Sequence, residues 1–198
     1  MIDIIDCLKE DNPLIQKKLK EVSVEEGLEI ATKLFQILNR RKDGIGLAAN
    51  QVGIDAQVAV VNVREPLVFI NPQIINKSNE INYYEGCLSF PKKGCHTKRY
   101  ETIEVTTAQK EGSLLFSGVM INGQDDHQLR TLEAVCVQHE IDHLNGMRIL
   151  DRVYSTTYVR DHKKIGRNEL VTIKKDDAVK VLKYKKADKF LNQGWVIQ

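Results

Sequence analysis

His139-Glu140-Ile141-Asp142-His143 lies in a stretch that is apolar on two sides, and this combination constrains the fold more than any other feature of the chain. Taken as a helix over 132 to 144, Ala134, Val137, Ile141 and Leu144 form one stripe; Leu132, Val135, Cys136, His139 and His143 form a second. A helix apolar on both sides has to be covered by other elements, so it is expected at the centre of the domain. Thr131 is placed to cap it and Gly146 to end it. Two histidines on a buried stripe need partners, because an unsatisfied buried polar group costs about 1–3 kcal/mol. Metal coordination meets that need: histidines at i and i+4 project from one helix face onto a single ion, with Glu140 beside them as proton carrier.

An HExxH alone leaves the third ligand open. HExxH endopeptidases usually take it from downstream, but after His143 the only histidine is His162, in a charged tail. Upstream, Glu85-Gly86-Cys87-Leu88-Ser89 puts a cysteine in a glycine-containing loop after a strand-like run. Cys87 has the better claim, whereas Cys95 or Cys136 suits a packed small hydrophobe. A third segment, Gly44 to Gln51 (GIGLAANQ), matches the dinucleotide pattern G-x-G-x-x-A but follows an amphipathic helix instead of a strand, which argues against a nucleotide. Its small residues let backbone approach a substrate, and Gln51 offers an amide donor.

The surrounding chain is that of a globular protein: 198 residues, 42% hydrophobic and 28% charged, enough for one domain with a small appendage. No apolar run approaches the roughly 20 residues of a membrane helix, and the acidic start lacks the pattern of a signal peptide, so a cytoplasmic protein with no membrane partner is expected. Cys7, Cys87, Cys95 and Cys136 have no CxxC pairing, and a reducing compartment disfavours disulfides. Residues 160 to 198 hold eleven Lys/Arg against five Asp/Glu, so a tail of +6 follows a remainder of −4.

Ser23-Val24-Glu25-Glu26 has the form of a capping box, and Val24, Leu28, Ala31, Phe35 and Leu38 recur at helical spacing. A helix is predicted over 24 to 42, with Arg40, Arg41 and Lys42 in its last turn and Gly44 as its stop. β-rich runs follow at 57–63, 67–75 and 102–109, with another at 114–122 and a polar loop at 123–128. In the tail, 169–175 and 178–184 suggest strands, 187–191 a short helix and 194–198 a last strand. The fold class is α+β: mixed or antiparallel sheets packed around the buried HExxH helix, with the 24–42 helix outside. Residues 1–155 are expected to form a catalytic domain and 156–198 a basic, β-rich extension.

Together the three segments resemble peptide deformylase, whose motifs are GxGxAAxQ, EGCxS and QHExDH. They stand here at Gly44 to Gln51, Glu85 to Ser89 and Gln138 to His143, in the family's order with every fixed position filled. The resemblance covers residues 1 to 155. It implies hydrolysis of the formyl group from the N-terminal formyl-methionine of nascent polypeptides, releasing formate. It implies Cys87, His139 and His143 as metal ligands, with Fe(II) as the typical metal and Zn(II), Ni(II) or Co(II) able to occupy the same site. Glu140 falls on the general acid/base, and Gln51 with the Leu88 backbone N–H on the oxyanion donors. Three protein ligands leave a position for water, whose pKa a divalent cation lowers. One thiolate and two imidazoles leave such a site with a net charge of about +1.

Leu132, Val135 and Cys136 lie one and two turns before His139 on its own stripe and match the family's pocket for the first residue, a fit for methionine. The same positions also suit plain core. Ile45, Gly46 and Gly86, with Glu85, are the substrate-binding positions, holding the peptide as an added strand. Asp142 or another carboxylate is expected to support the ligands, with Arg99 as a family-style partner.

The chain departs from the family in four places. Asn50 stands at a variable position, often Pro. The stretch from Cys87 to His139 is long, with 123–130 as the insertion. Pro91-Lys92-Lys93-Gly94 lacks an arginine that many members place near substrate, leaving Lys93 as its candidate substitute. The tail reads as strands where bacterial members often end in a basic helix, which leaves an organellar or viral source open; its charge makes the ribosome the partner to test. Against the deformylase stand an HExxH endopeptidase, which lacks a downstream ligand, and a structural metal or peptide-binding module, which needs neither Glu140 nor Gln51.

Overall fold

The computed structural model describes residues 7–9, 11–41, 44–119, 126–154, 159–161, 168–176, 178–191 and 193–197, with backbone only at 91–93, 159–161 and 188. By its contacts the chain divides into two units, Met1–Asn79 with Tyr100–Arg148 and Glu80–Arg99 with Ile149–Gln198.

The first unit holds α1 (Val24–Leu38), β1 (Gly46–Ala48), β2 (Val58–Asn62) and β3 (Pro66–Ile70). β4 (Gln73–Cys87) and β5 (Phe90–Thr107) contribute to both units, and β6 (Lys110–Ser117) and α2 (His127–Leu144) complete the first. The pairs β1–β2, β2–β3 and β5–β6 are antiparallel. Val58, Ala59, Val60 and Val61 are all fully buried. Both α1 and α2 pack on β2, so neither face of the strand meets water and the usual alternation is lost. Ala134, Val137, Ile141 and Leu144 of α2 share a core with Ala59, Val61, Phe69, Ile103, Val105 and Phe116. Every residue from Glu133 to Leu144 is buried, the environment its two apolar stripes require.

Three expectations change here. The α1 helix starts as predicted, with Ser23 Oγ accepting from the Glu26 N–H at 3.2 Å, but it ends at Leu38; Asn39 to Arg41 turn away and Lys42 lies outside the described residues. Its buried face is Gly27, Ile30, Ala31, Leu34 and Leu38, while Val24 and Leu28 are exposed. Two overlapping stripes had helical spacing. Gly27 selects between them, because a Cβ there would lie 2.7 Å from Ile70 side-chain carbons, so the bare backbone seats α1 on β3. Finally, α2 starts at His127, and Thr131 is not its cap; the Thr131 hydroxyl donates back to the His127 carbonyl at 2.9 Å.

The β-rich run at 67–75 breaks at Asn71, whose φ of 48° ends β3. The Asn71 amide holds the break by bonding the Val22 N–H and carbonyl. β4 and β5 are far longer than the sequence suggests, and β6 ends at Ser117 where the predicted run reached 122; residues 120–125 lie outside the described set.

In the second unit, Cys87 ends β4 and a two-residue turn, Leu88-Ser89, leads into β5, so Cys87 sits at a strand end and not within a longer loop. β7 (Val159–Asp161) pairs with β5. β8 (Leu170–Lys175), β9 (Ala178–Lys183), α3 (Asp188–Leu191) and β10 (Val196–Ile197) fall where the tail pattern placed them, and the three strands form an antiparallel sheet ordered β10-β8-β9. Val171, Ile173, Ala187, Leu191 and Ile197 form its core. Lys180 lies over the rings of Phe190 and Trp195 at 4.8 and 4.7 Å. No helix among the described residues is long and apolar enough to cross a membrane.

Candidate active site

In the first unit, the C-terminal half of α2 carries His139, Glu140 and His143, which are 8%, 4% and 1% exposed, so burial sets a requirement for partners on all three. The two imidazole rings lie 4.9 Å apart between centroids and are steeply inclined. Gln138, the residue before the first histidine, clamps the helix to β5. Its Oε1 accepts from the Tyr100 N–H at 3.0 Å, and its Nε2 donates to the Tyr100 carbonyl at 2.8 Å.

Gly46 to Ala48 form β1, and Ala49 to Val52 a single 3₁₀ turn. Gln51 is buried, and its Oε1 accepts from the Ala48 N–H at 2.9 Å, which orients the amide with Nε2 as the donor end. A Cβ on Gly46 would overlap the Glu140 carboxylate and come within 2.7 Å of Cys136 Sγ, so this position admits only glycine as α2 stands. Ile45, just before it, is 40% exposed. Val135 and Cys136 are buried, and Cys136 belongs to the same core as Val137, while Leu132 is half-buried. Glu133 on this helix is buried; burial pushes its carboxyl pKa up, against the pull of Arg64, whose guanidinium lies 3.5 Å away.

In the second unit, Glu85 Oε1 accepts from Arg99 Nε at 2.7 Å and from the Thr97 hydroxyl. Arg99 is 2% exposed, so it is no surface cation, and Glu85 is a carboxylate it meets. Glu85 therefore uses its side chain to fix the end of β4 two residues before Cys87. Gly86 is exposed, and Cys87 and Leu88 are half-buried. Cys95 is a buried thiol whose pKa is pushed up to about 12 by burial and by nearby Glu85, and its Sγ donates to the Ile149 carbonyl. It packs as the small hydrophobe the sequence suggested. No disulfide links the four cysteines.

Among the described residues, the group able to hold a metal ion is Cys87, His139 and His143, whose candidate ligand atoms all lie within 4.8 Å of one another. A soft thiolate with two imidazoles is a donor set for zinc, iron or another transition metal, not for calcium or magnesium.

The model of the polypeptide deformylase family matches residues 5–158. The chain belongs to that family. Deformylases are metal-dependent hydrolases that remove the N-formyl group from nascent polypeptides, and the candidate group above fits that requirement. The peptide deformylase of Dictyoglomus thermophilum is 36% identical over 164 residues, covering 81% of this chain and 99% of that protein. That of Buchnera aphidicola is 33% identical over 155 residues, covering 76% and 83%. Among solved structures, the Thermotoga maritima peptide deformylase aligns with a TM-score of 0.61 at 30% identity, over 74% of this chain and 95% of that one. The Synechococcus elongatus peptide deformylase in complex with actinonin gives 0.61 at 34% identity, over 75% and 78%. The deformylase match ends before β8, so the sheet β10-β8-β9 lies beyond it.

Two contributions escaped the sequence. Gln138 was part of a motif without a role, and its i−4 bond to the Ala134 carbonyl at 3.0 Å together with the Tyr100 pair makes it the tie between helix and strand. Asn50 passed as a variable position; it is fully buried against the end of α2. Lys93 and His162 lie outside the residues whose side chains are described.

Proposed function

We propose that this deformylase acts on formyl-methionyl nascent peptides through Cys87, His139 and His143 as metal ligands and Glu140 as general acid/base. The observation that carries this is the grouping of the Cys87, His139 and His143 ligand atoms, with the buried Glu140 beside the two histidines on α2. Fe(II) is the physiological metal in this reading, with Zn(II), Ni(II) or Co(II) able to replace it. When bound, the metal supplies a Lewis acid that lowers the pKa of a water toward neutrality.

Glu140 takes a proton as the water oxygen adds to the formyl carbon. The Gln51 amide and the Leu88 backbone N–H donate to the negative charge that develops on the formyl oxygen. The orientation of Gln51, held by Ala48, supports that role, since it leaves the NH₂ end as donor. Glu140 then passes its proton to the leaving nitrogen, the carbon–nitrogen bond breaks, and formate and a free N-terminus result. Leu132, Val135 and Cys136 line the methionine pocket. Ile45, Gly46 and Gly86 bind the peptide backbone as an added strand, and Glu85 supports this edge through Arg99.

The catalytic part spans residues 1–155, and 156–198 is a basic extension whose partner is the ribosome, with the protein in the cytoplasm. The tail charge of +6 supports a salt-sensitive attraction to RNA. Deleting residues 160–198 should reduce ribosome co-sedimentation at low salt, and unchanged binding would refute this part. The activity itself is tested by formate release from formyl-Met-Ala-Ser with protein purified without oxygen; absence of formate from metal-loaded protein would refute the substrate assignment.

A further inference from the structure

A helix ends in carbonyls that have no partner within it. At the end of α2 these are met from the N-terminal part of the same unit. The Leu19 N–H donates to the Leu144 carbonyl at 2.9 Å, and the Gly146 N–H turns back to His143 at 3.1 Å. Gly146, with φ of 72°, lies so close to the Gln16 and Lys17 backbone that a Cβ would sit 2.7 Å from Lys17 C. Against His143 there is also a side chain: Asn50 Nδ2 donates to the His143 carbonyl at 2.7 Å and, more weakly, to the Leu14 carbonyl at 3.4 Å.

Asn50 is fully buried, and its Oδ1 is buried without a hydrogen-bond partner. Chemistry fixes the amide this way round, because only a donor can lie between two carbonyl oxygens. An orphaned buried oxygen costs about 1–3 kcal/mol. A residue serving only to fill space here would be apolar, so the amide is explained by its donor half. Proline at this position would supply no donor.

We propose that Asn50 is a positioning residue for the metal centre: by holding the His143 peptide it sets the His143 ring, and it does so from the same 3₁₀ turn that carries Gln51. The turn Ala49–Val52 thereby couples a ligand to an oxyanion donor. This inference rests on His143 being a ligand, as proposed above.

The test uses the full-length protein loaded with Co(II), whose visible absorption bands report ligand geometry. Asn50→Leu keeps the side-chain volume but removes the donor; Asn50→Asp replaces the donor with an acceptor facing two carbonyls. Asn50→Leu should shift the bands and speed Co(II) loss to a chelator by about 10-fold, the lower end of the effect of removing a group that supports a ligand. Asn50→Asp should do more, and if it does not fold, Asn50→Leu carries the test. Wild-type bands and loss rate in Asn50→Leu, even with a lowered melting temperature, would overturn the inference. His143→Ala is run beside it: altered bands there with unchanged Asn50→Leu overturn the inference alone, while wild-type bands in His143→Ala overturn the ligand assignment and this inference with it.

Discussion

Gly46 and Glu140 share one space: the carboxylate of Glu140 occupies the volume that a side chain at 46 would need. Glycine here is a steric requirement of the Glu140 carboxylate, not of a turn. Gly46→Ala should displace the carboxylate and lower kcat by about 10²-fold, the scale of losing a general acid/base, with metal content unchanged. Steady-state kinetics and metal analysis check this. A kcat within about twofold of wild type would mean that Glu140 tolerates displacement.

Arg99 and Glu85 form a buried ion pair at 2.7 Å. Removing one partner strands the other charge, so Arg99→Met should destabilise the protein by about 3–5 kcal/mol, read by urea unfolding. Replacing both, as Arg99→Met with Glu85→Leu, should recover much of that loss. A loss below about 1 kcal/mol in the single variant would show the pair to be worth no more than a surface one.

Glu133 is held by burial above its ordinary pKa of 4.5. A carboxyl whose folded pKa is raised contributes stability below the unfolded value, and that contribution is lost as pH rises through the folded one. At neutral pH the buried charge is therefore a cost that exceeds the help of Arg64. Glu133→Gln should melt higher than wild type at pH 7, and the difference should vanish below pH 4.5. Thermal melts across pH decide; a variant less stable at pH 7 would show that the Arg64 pair dominates.

What was legible in the sequence was whatever one local pattern determines. The α2 helix was visible because two apolar stripes and an HExxH agree, and the three metal-group residues came from short motifs. The end of α1 was not, because Arg40 and Arg41 are good helix formers and nothing local shows that the chain turns at Asn39. Its buried face depended on Gly27 meeting Ile70, a contact remote in sequence. The first turn of α2 was not legible because His127, Gln128 and Arg130 continue the polar run before it and Thr131 has the chemistry of a cap. β5 runs on through Pro91, which falls at its second residue, where a missing N–H is tolerated. The positions of Asn50 and Gln138 depend on partners 93 and 38 residues away, which no spacing rule encodes.

In the proposed mechanism Glu140 moves the proton in deformylation while Cys87, His139 and His143 hold the metal. Formate release from formyl-Met-Ala-Ser is to be compared between wild type and Glu140→Ala, with metal per chain measured in both. About one metal in each and a fall of at least about 10²-fold in kcat for the variant are expected; equal rates at equal metal content would refute the role of Glu140.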